Sequence, residues 1–315
     1  MVVVIIMNQK IIVIGLCGQS FMLKVNQFPK PGETIQIQDL FTEPGGKGFN
    51  QAIALAKLGC EVVFASSVGE DEAVIRCEKT LRDYNISSEL IVNKNEKSAF
   101  ATVVTNALGE NQVSVYPGAS RLLSPSDVIK LEPLITSSAI VLTQLEQPLE
   151  TTRKILELSN KHHIRTILNP APAIDYDIDL LHQAWLITPN EHEAKTILEL
   201  TSLDNDKKLL ARLHEKGFTQ MIITMGEKGA ILVENEQIYR FPAMKVQVVD
   251  TVGAGDAFNA GLAAKIVQGS SLSDAVMFGI IVSGLSTTKA HVIDSFPMLE
   301  EVLPLCEVLK SLKKD

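Results

Sequence analysis

Short runs of β-branched and apolar residues alternate with helical patterns along most of this chain. Helices are predicted over 46–58, 70–84 and 149–162 and from Glu191, and the apolar runs are IIVIG (11–15), EVVFASSVG (61–69), AIVLTQ (139–144), RTILN (165–169), WLITPN (185–190) and MIITMG (221–226). Continuous apolar strands separated by helices are typical of parallel βαβ units, in which helices cover both faces of a sheet. The sequence therefore predicts an α/β fold with a doubly wound, mostly parallel sheet flanked by helices.

Two segments interrupt this alternation. Residues 18–44 and 96–117 contain the stretches ETIQIQDL, FATVVTN and NQVSVY, together with glycine and proline turns. Their apolar residues recur with a period of two rather than with helical periodicity, which indicates antiparallel strands. We therefore expect a small antiparallel sheet beside the main one.

Composition limits the classes of ligand. The chain has 315 residues, a hydrophobic content of 46% and a net charge of −8, with no run rich in lysine or arginine. Such a chain can bury a large core, and it lacks the positive patch that nucleic acids or anionic membranes attract. A small molecule is the expected ligand.

The cysteines and the N-terminus bear on location. Cys17, Cys60, Cys77 and Cys306 lie far apart, with no C-x-x-C pair and no clustered histidines. This spacing argues against a disulfide framework or a zinc site and favours a reducing cytoplasm. The apolar start MVVVIIM lacks the basic region and the cleavage site of a signal peptide, and translation is predicted to begin at Met7.

Three turns follow predicted strands, where open α/β sheets bind ligands. The first, EPGGKGFNQA (43–52), is not a P-loop, because G-x-x-x-x-G-K-[ST] is absent, and by itself it is equally typical of a plain tight turn. The second, ITPNEHEA (187–194), has two interpretations. Asn190 and Glu193 fit a helix capping box, and they also fit an amide and a carboxylate that face Mg²⁺ and phosphates.

The third turn, VVDTVGAGDAFNAG (248–261), is the most informative of the three. Its small residues open a helix, so the N–H groups of residues 252–256 can form a nest for an anion. Asp256 lies at the edge of this nest, where a carboxylate is costly unless it accepts a proton from an attacking hydroxyl. That is the role of a general base in phosphoryl transfer. A carboxylate that only favours the helix dipole would explain neither the glycines nor Asp250.

Five motifs together carry a resemblance to a known family. GGKGFNQA, LNPAPA (168–173), TPNEHEA, ITMGEKGA (223–230) and DTVGAGDAFNAG, in this order and at these spacings, resemble the PfkB carbohydrate kinases, and most closely the ribokinases. The resemblance covers nearly the whole chain. It implies one ribokinase-like kinase domain over residues 1–315, with a lid formed by about 18–44 and 96–117 that also makes a homodimer contact. The implied reaction is ATP-dependent phosphorylation of a primary hydroxyl of a small sugar.

The resemblance assigns roles around the ATP site. Asp256 is implied as the general base, with the N–H groups of Gly253, Ala254 and Gly255 as the anion hole. Asn190 and Glu193 are implied to hold the ATP phosphates and the Mg²⁺ shell. The residues implied to line the nucleotide site, besides Gly255, are Thr224, Met225, Gly226, Glu227, Lys228 and Gly229.

A potassium site is also implied. Asp250 is its expected carboxylate ligand, and the other implied ligands are the carbonyls of Val252, Ser286, Lys289 and His291 and the hydroxyl of Ser295. Relatives usually carry a glycine near His291, so this loop departs from the family pattern.

On the sugar side, the matching residues are Gly46, Lys47, Gly48, Asn50 and the carboxylate Glu146. Three further positions depart from the pattern. Gly18 and Ser20 stand where ribokinase-like sequences carry an asparagine and an aspartate, and Phe49 stands where they usually carry alanine. Weak ribose recognition is therefore expected, with a preference for a substrate that has fewer or differently placed hydroxyls, or a larger group beside Gly18. Alternatively, Gln19 or water fills the gap and ribose binds.

The sequence also bears on three functions other than that of a sugar kinase. A nucleoside kinase of the same fold is favoured by the apolar bulk of Phe49. A catalytically inactive sugar sensor is disfavoured by the intact Asp256 and its nest. A dinucleotide-dependent oxidoreductase is disfavoured because no G-x-G-x-x-G follows the first strand.

Overall fold

The computed structural model describes residues 10–173 and 176–312, so Met7, the predicted start of translation, lies outside the described residues. The strands are β1 (Ile11–Ile14), β2 (Gly18–Lys24), β3 (Asp39–Gly45), β4 (Val62–Gly69), β5 (Ser87–Asn93), β6 (Ala99–Thr105), β7 (Asn111–Tyr116), β8 (Ile140–Gln144), β9 (Arg165–Asn169), β10 (Leu186–Ile187), β11 (Gln220–Thr224), β12 (Ala230–Glu234) and β13 (Gln237–Phe241). The helices are α1 (Lys47–Lys57), α2 (Glu72–Asp83), α3 (Pro125–Lys130), α4 (Glu132–Thr136), α5 (Leu149–Lys161), α6 (Ile178–Leu181), α7 (Glu191–Leu198), α8 (Asp206–Glu215), α9 (Ala254–Val267), α10 (Leu272–Ser286) and α11 (Leu299–Leu312).

The central sheet has six strands in the order β10-β9-β8-β1-β4-β5, and all of its pairings are parallel. From β1 the chain proceeds to β4 and β5 on one side and later to β8, β9 and β10 on the other. The prediction of a doubly wound parallel sheet is confirmed. Ligands of such sheets bind beyond the carboxyl ends of the strands, where the strand order reverses. That point lies between β1 and β8.

Both faces of this sheet are buried, as the apolar strands predict. In β1 the side chains of Ile11 and Val13 pack with apolar residues of α1, α9 and α10, whereas Ile12 and Ile14 pack with residues of α3, α4 and α5. Successive side chains of a strand point to opposite faces, so a strand between two helical layers is apolar at every position. Among the described residues, no helix is long and apolar enough to cross a membrane.

The two interrupting segments form a four-stranded sheet in the order β3-β2-β6-β7. Its outer pairs, β2–β3 and β6–β7, are antiparallel hairpins, in agreement with the sequence. The inner pair β2–β6 is parallel, with Gly18 opposite Ala99. The hairpins are separated by residues 46–98, so their pairing direction is set by the path of the intervening chain and not by a local turn.

The strand predicted over 221–226 differs from the expectation. β11 pairs antiparallel with β12 in a separate three-stranded sheet, and its link to the central sheet is one parallel bridge between Asn190 and Thr224. Proline has no N–H to donate to a ladder, so Pro189 ends β10 after only two residues. β11 nevertheless lies beside β10, because the N–H of Thr224 donates to the carbonyl of Pro189 at 3.0 Å.

Candidate active site

A cleft of about 100 Å³ lies at the carboxyl ends of the strands. It is bounded by the ends of β9, β10 and β11 and by the starts of α1, α7 and α9. The residues that line it are Lys47, Asn169, Ala171, Thr188, Asn190, Glu193, Thr224, Gly253, Gly255, Asp256 and Asn259. The three turns predicted from the sequence therefore meet in one place.

The start of α9 presents free backbone donors to this cleft. Gly253 is the N-cap, with a φ of 80°, and a Cβ there would lie 2.7 Å from Val292 Cγ1. Within the described part of the chain, no group accepts the N–H of Gly253, Gly255 or Asp256. The N–H of Ala254 donates to the carbonyl of Thr251 at 3.2 Å. Of the three N–H groups expected to form an anion hole, that of Ala254 is engaged within the protein, whereas Gly253 and Gly255, whose N–H groups have no partner in the described residues, line the cleft.

Asp256 lies in the first turn of α9 and is only 6% exposed. Its Oδ2 accepts a hydrogen bond from Asn50 Nδ2 at 2.9 Å, and its Oδ1 accepts one from Gln51 Nε2 at 3.0 Å. Burial raises the pKa of Asp256, while the charge of Lys47 and these two amides oppose the increase. Such a carboxylate is desolvated, held in one orientation and more basic than usual, as a general base requires.

The charge of Lys47 interacts with Asp256 and with two further carboxyl groups, those of Glu146 and Glu193. The backbone N–H of Lys47 donates to Glu146 Oε2 at 3.0 Å. Burial raises the pKa of Glu146 to about 7, the charge of Lys47 opposes this increase, and Asp256 adds to it. Burial lowers the pKa of Lys47, but the carboxylates of Asp256, Glu146 and Glu193 outweigh it and the net shift is upward. With three carboxyl groups around one ammonium, the region can accommodate further cations.

Asn190 and Glu193 form a capping box at the start of α7. Asn190 Oδ1 accepts from the N–H of Glu193 at 2.9 Å, and Glu193 Oε2 accepts from the N–H of Asn190 at 2.8 Å. The capping interpretation is therefore confirmed. Both residues also line the cleft, and burial raises the pKa of Glu193, which is 4% exposed. The two side chains that cap α7 are thus among those that line the cleft.

The TMGEKG segment is only partly in the cleft. Thr224 lines the cleft, and Gly226, Glu227 and Lys228 form an exposed 3-10 turn beyond it. The Met225 side chain is 6% exposed and belongs to the apolar cluster around α7 and β11. Gly229 is buried where the chain enters β12. The Met225 side chain therefore packs in the core and does not line the cleft.

The predicted potassium ligands lie on two neighbouring segments. Asp250 Oδ1 accepts from the N–H of Val252 at 3.0 Å, and the N–H of Asp250 donates to Thr287 O at 3.2 Å, at the end of α10. His291 has a φ of 68° and stacks on Phe41 with ring centroids 3.6 Å apart. It thus adopts the left-handed conformation that glycine usually supplies.

The other expected ligands of this site already make contacts within the protein. Ser286 O accepts from the N–H of Lys289 at 3.5 Å, and Ser295 Oγ donates to Val292 O at 2.8 Å. A serine hydroxyl that donates still has lone pairs for a cation, as does a carbonyl with one partner.

On the sugar side, Gly46 precedes α1 as its N-cap, and Lys47, Gly48 and Asn50 lie in its first turn. Asn50 Oδ1 is buried and has no hydrogen-bond partner in the described residues. An unpartnered buried acceptor is costly, which favours a ligand hydroxyl at this position.

The assignment of Phe49 to the sugar site is wrong. Its ring is fully buried and packs edge-on against Phe64, with centroids 5.9 Å apart. Successive residues of a helix point about 100° apart, so Phe49 faces the core while Asn50 faces Asp256. The apolar bulk that favoured a nucleoside kinase is absent from the cleft.

Gly18 leaves no open space. A Cβ on Gly18 would lie 2.0 Å from the carbonyl oxygen of Ala99 on the paired strand β6. The suggestion that a larger substrate group occupies this position is therefore wrong. Gln19 does not fill the gap either, because its Nε2 donates to the carbonyl of Glu43 at 2.9 Å. Ser20 is partly buried on β2.

Several polar residues of the site were not identified from the sequence. Thr188 Oγ1 donates to Asn259 Oδ1 at 2.6 Å, and Asn259 Nδ2 donates to Gly255 O at 2.9 Å, which supports the turn that carries the free donors. Beside them, Gln51 Nε2 donates a hydrogen bond to Asn169 Oδ1 at 3.4 Å. Asn169 is the last residue of β9, and Thr188 directly follows β10. Because ligands of open α/β sheets bind at the carboxyl ends of strands, these positions could have identified both residues from the sequence. Ala171 lines the cleft through the same loop.

Comparisons with known proteins show the family of the chain. The model of the pfkB family carbohydrate kinases matches residues 8–299. Deoxyribokinase from Salmonella typhi is 32% identical over 295 residues, which cover 92% of this chain and 96% of the relative. Ribokinase from Lactococcus lactis subsp. lactis is 32% identical over 296 residues, which cover 93% and 95%. The structure of Arabidopsis thaliana ribokinase complexed with ribose and ATP has a TM-score of 0.81 at 28% identity, with coverage of 95% and 99%. The chain therefore belongs to the pfkB family of carbohydrate kinases.

Proposed function

We propose that this kinase transfers the γ-phosphoryl group of ATP to a primary hydroxyl of a small sugar, with Asp256 as the general base. The observation that carries the proposal is the buried Asp256 carboxylate beside the free N–H groups of Gly253 and Gly255. The carboxylate can take the hydroxyl proton while the N–H groups stabilise charge on the transferred group. ATP as the phosphoryl donor is supported by the relative from Arabidopsis thaliana, whose structure is a complex with ribose and ATP.

Asn190 and Glu193 are the proposed contacts of Mg²⁺ and the ATP phosphates. Both line the cleft, and oxygen ligands of this kind suit Mg²⁺. When bound, Mg²⁺ neutralises phosphate charge that would otherwise be repelled by the carboxylates of the site. Thr224 and the exposed turn Gly226–Lys228 are the proposed nucleotide contacts.

We further propose a potassium ion between the segment of Asp250 and Val252 and the loop that contains His291. All of the proposed ligand atoms there are oxygens. His291 has the positive φ that glycine usually adopts. A bound ion would stiffen the turn that ends at Gly253 and so preorganise its free donor.

For the sugar, we propose a deoxypentose such as 2-deoxyribose in preference to ribose. Gly18 offers no side chain, and Ser20 is shorter than the aspartate of ribokinase-like sequences. With one of these side chains absent and the other shortened, a sugar with fewer hydroxyls forgoes fewer contacts than ribose does. Each lost contact to a hydroxyl costs about 1–3 kcal/mol of discrimination. A deoxyribokinase and a ribokinase are equally similar to this chain, at 32% identity, so the choice rests on these two residues.

The test of substrate class is kcat/KM for ribose, 2-deoxyribose, fructose and nucleosides at saturating MgATP. We expect 2-deoxyribose to be preferred. A preference for ribose of tenfold or more would rule out the deoxypentose proposal while leaving the kinase intact.

The test of the base is Asp256→Asn. We expect kcat to fall roughly 10²–10⁴-fold, with ATP binding retained in a thermal-shift titration. Near-normal turnover in this variant would remove Asp256 from the mechanism.

The sheet β3-β2-β6-β7 is the proposed lid and homodimer contact. Its side chains Leu40, Val113 and Val115 are 56%, 57% and 47% exposed, which is unusual for apolar residues on one small sheet. Light scattering should give the mass of a dimer for the wild type and of a monomer for Val113→Lys/Val115→Lys, and a monomeric wild type would contradict the proposal. A cytoplasmic location stays a prediction.

A further inference from the structure

Asp256 is held by two neighbouring amides of α1 that differ at their other ends. Asn50 donates to Oδ2 of Asp256, and its own carbonyl oxygen has no hydrogen-bond partner in the described residues. Gln51 donates to Oδ1 of Asp256, and its carbonyl oxygen accepts from Gln144 Nε2 at 2.6 Å. Asn50 is therefore free to contact a substrate, whereas both ends of Gln51 are engaged within the protein.

Asp256 and Gln144 engage opposite ends of the Gln51 amide. A glutamine amide has one acceptor end and one donor end. Gln144 donates to the acceptor end, and the donor end points to the Asp256 carboxylate and, at 3.4 Å, to Asn169 Oδ1. The opposite orientation would place a carbonyl oxygen against a carboxylate oxygen, which is repulsive. Gln51 and Gln144 are both fully buried, so water cannot replace either bond cheaply.

We propose that Gln51 is a positioning residue of this kinase, which holds Oδ1 of Asp256 so that Oδ2 is presented to the sugar hydroxyl, and that Gln144 orients Gln51. This inference rests on the proposed role of Asp256 as the base. In the step, the hydroxyl proton moves to Oδ2, the sugar oxygen bonds to the γ-phosphorus, and the bond from that phosphorus to the β-phosphate oxygen breaks as ADP leaves. Asn50 exchanges its bond to Oδ2 for the sugar, and Gln51 remains.

Removal of the Gln51 hydrogen bond should change the pH dependence of kcat/KM. A hydrogen bond to a carboxylate favours its charged form, so removal of the Gln51 donor raises the pKa of Asp256 further. Among the described residues, the charged groups that act on Asp256 are Lys47 on α1 and Glu146 after β8, and Glu193 on α7 lines the same cleft. Gln51 makes no hydrogen bond to any of these three. The effect of its removal should therefore fall on Asp256.

The experiment compares Gln51→Met, Gln144→Met and the control Gln147→Met by kcat/KM for 2-deoxyribose and ribose from pH 5 to pH 9. Methionine keeps the length of glutamine without its hydrogen bonds. Gln147 is a matched control, because it is also buried and its Nε2 donates to Thr143 Oγ1 at 2.8 Å and Gln144 O at 2.7 Å but not to Asp256.

We expect the acidic limb of the Gln51→Met profile to move to higher pH by about one unit, which is a roughly tenfold loss on that limb and little loss at pH 9. Gln144→Met should shift it in the same direction by less, and Gln147→Met should leave it in place. An equal loss at every pH in Gln51→Met, or an equal shift in Gln147→Met, would overturn the proposal. If Gln51→Met does not fold, the shift or its absence in Gln144→Met decides.

Different results would refute the role of Asp256 as the base and the role of Gln51 as a positioning residue. Turnover that survives in Asp256→Asn removes the base itself. An inactive Asp256→Asn together with an unshifted Gln51→Met profile leaves the proposed function standing and refutes only the role of Gln51.

Discussion

Glu146 provides a test in which stability and function are expected to oppose each other. Its carboxyl group is partly buried, and burial raises its pKa to about 7. In an unfolded chain a glutamate titrates near 4.3. Glu146→Gln keeps the size of the side chain and an oxygen for the N–H of Lys47, and it removes the charge.

The raised pKa of Glu146 determines whether the free energy of unfolding rises or falls with pH. Because the folded-state pKa is raised, the folded protein binds the proton of Glu146 more tightly than the unfolded chain does. The free energy of unfolding is therefore undiminished below about pH 4.3 and falls as the pH rises toward 7, by about 3.7 kcal/mol at most. Solvent screening of a partly exposed group reduces this to about 2 kcal/mol. Glu146→Gln should remove that loss.

The assay is urea unfolding of wild type and Glu146→Gln at pH 5 and pH 8, at equal ionic strength. The variant should be more stable than wild type at pH 8 by about 2 kcal/mol and by much less at pH 5. Glu150→Gln, at an exposed glutamate nearby, is the control and should show no such difference. In the same variant the KM for sugar should rise. If the variant gains the same free energy of unfolding at both pH values, the pKa of Glu146 is not raised and the reasoning fails.

Three further outcomes are expected. Asp250→Ala should reduce the preference for potassium over sodium without abolishing turnover, and equal wild-type rates in the two salts would argue against the site. Phe49→Ala should lower the free energy of unfolding by about 3–5 kcal/mol with little change in the KM for sugar, whereas a raised KM at unchanged stability would return Phe49 to the pocket. Gly18→Asn should lose stability, because its Cβ would meet Ala99 O at 2.0 Å, and it should not improve ribose use; a stable variant with a tenfold gain for ribose would contradict the strand pairing.

Features that depend on neighbouring residues were predictable from the sequence. The apolar alternation predicted the parallel sheet, because a strand between two helical layers must be apolar on both faces. VGAGD predicted free donors at a helix start, because Gly253 can adopt the positive φ that exposes them. The capping box of Asn190 and Glu193 was also readable, since its two partners are three residues apart.

Features that join distant parts of the chain were decided by the tertiary structure. Whether Phe49 or Asn50 faces the cleft depends on the rotation of α1 against α9, which no local pattern specifies. The bond between Gln51 and Asp256 spans 205 positions, and the parallel pairing of β2 with β6 depends on the path of the chain between them. Steric preferences and periodicity act over a few residues and are written in the sequence directly. The orientation of one element against another results from packing the whole core, and only the folded chain determines it.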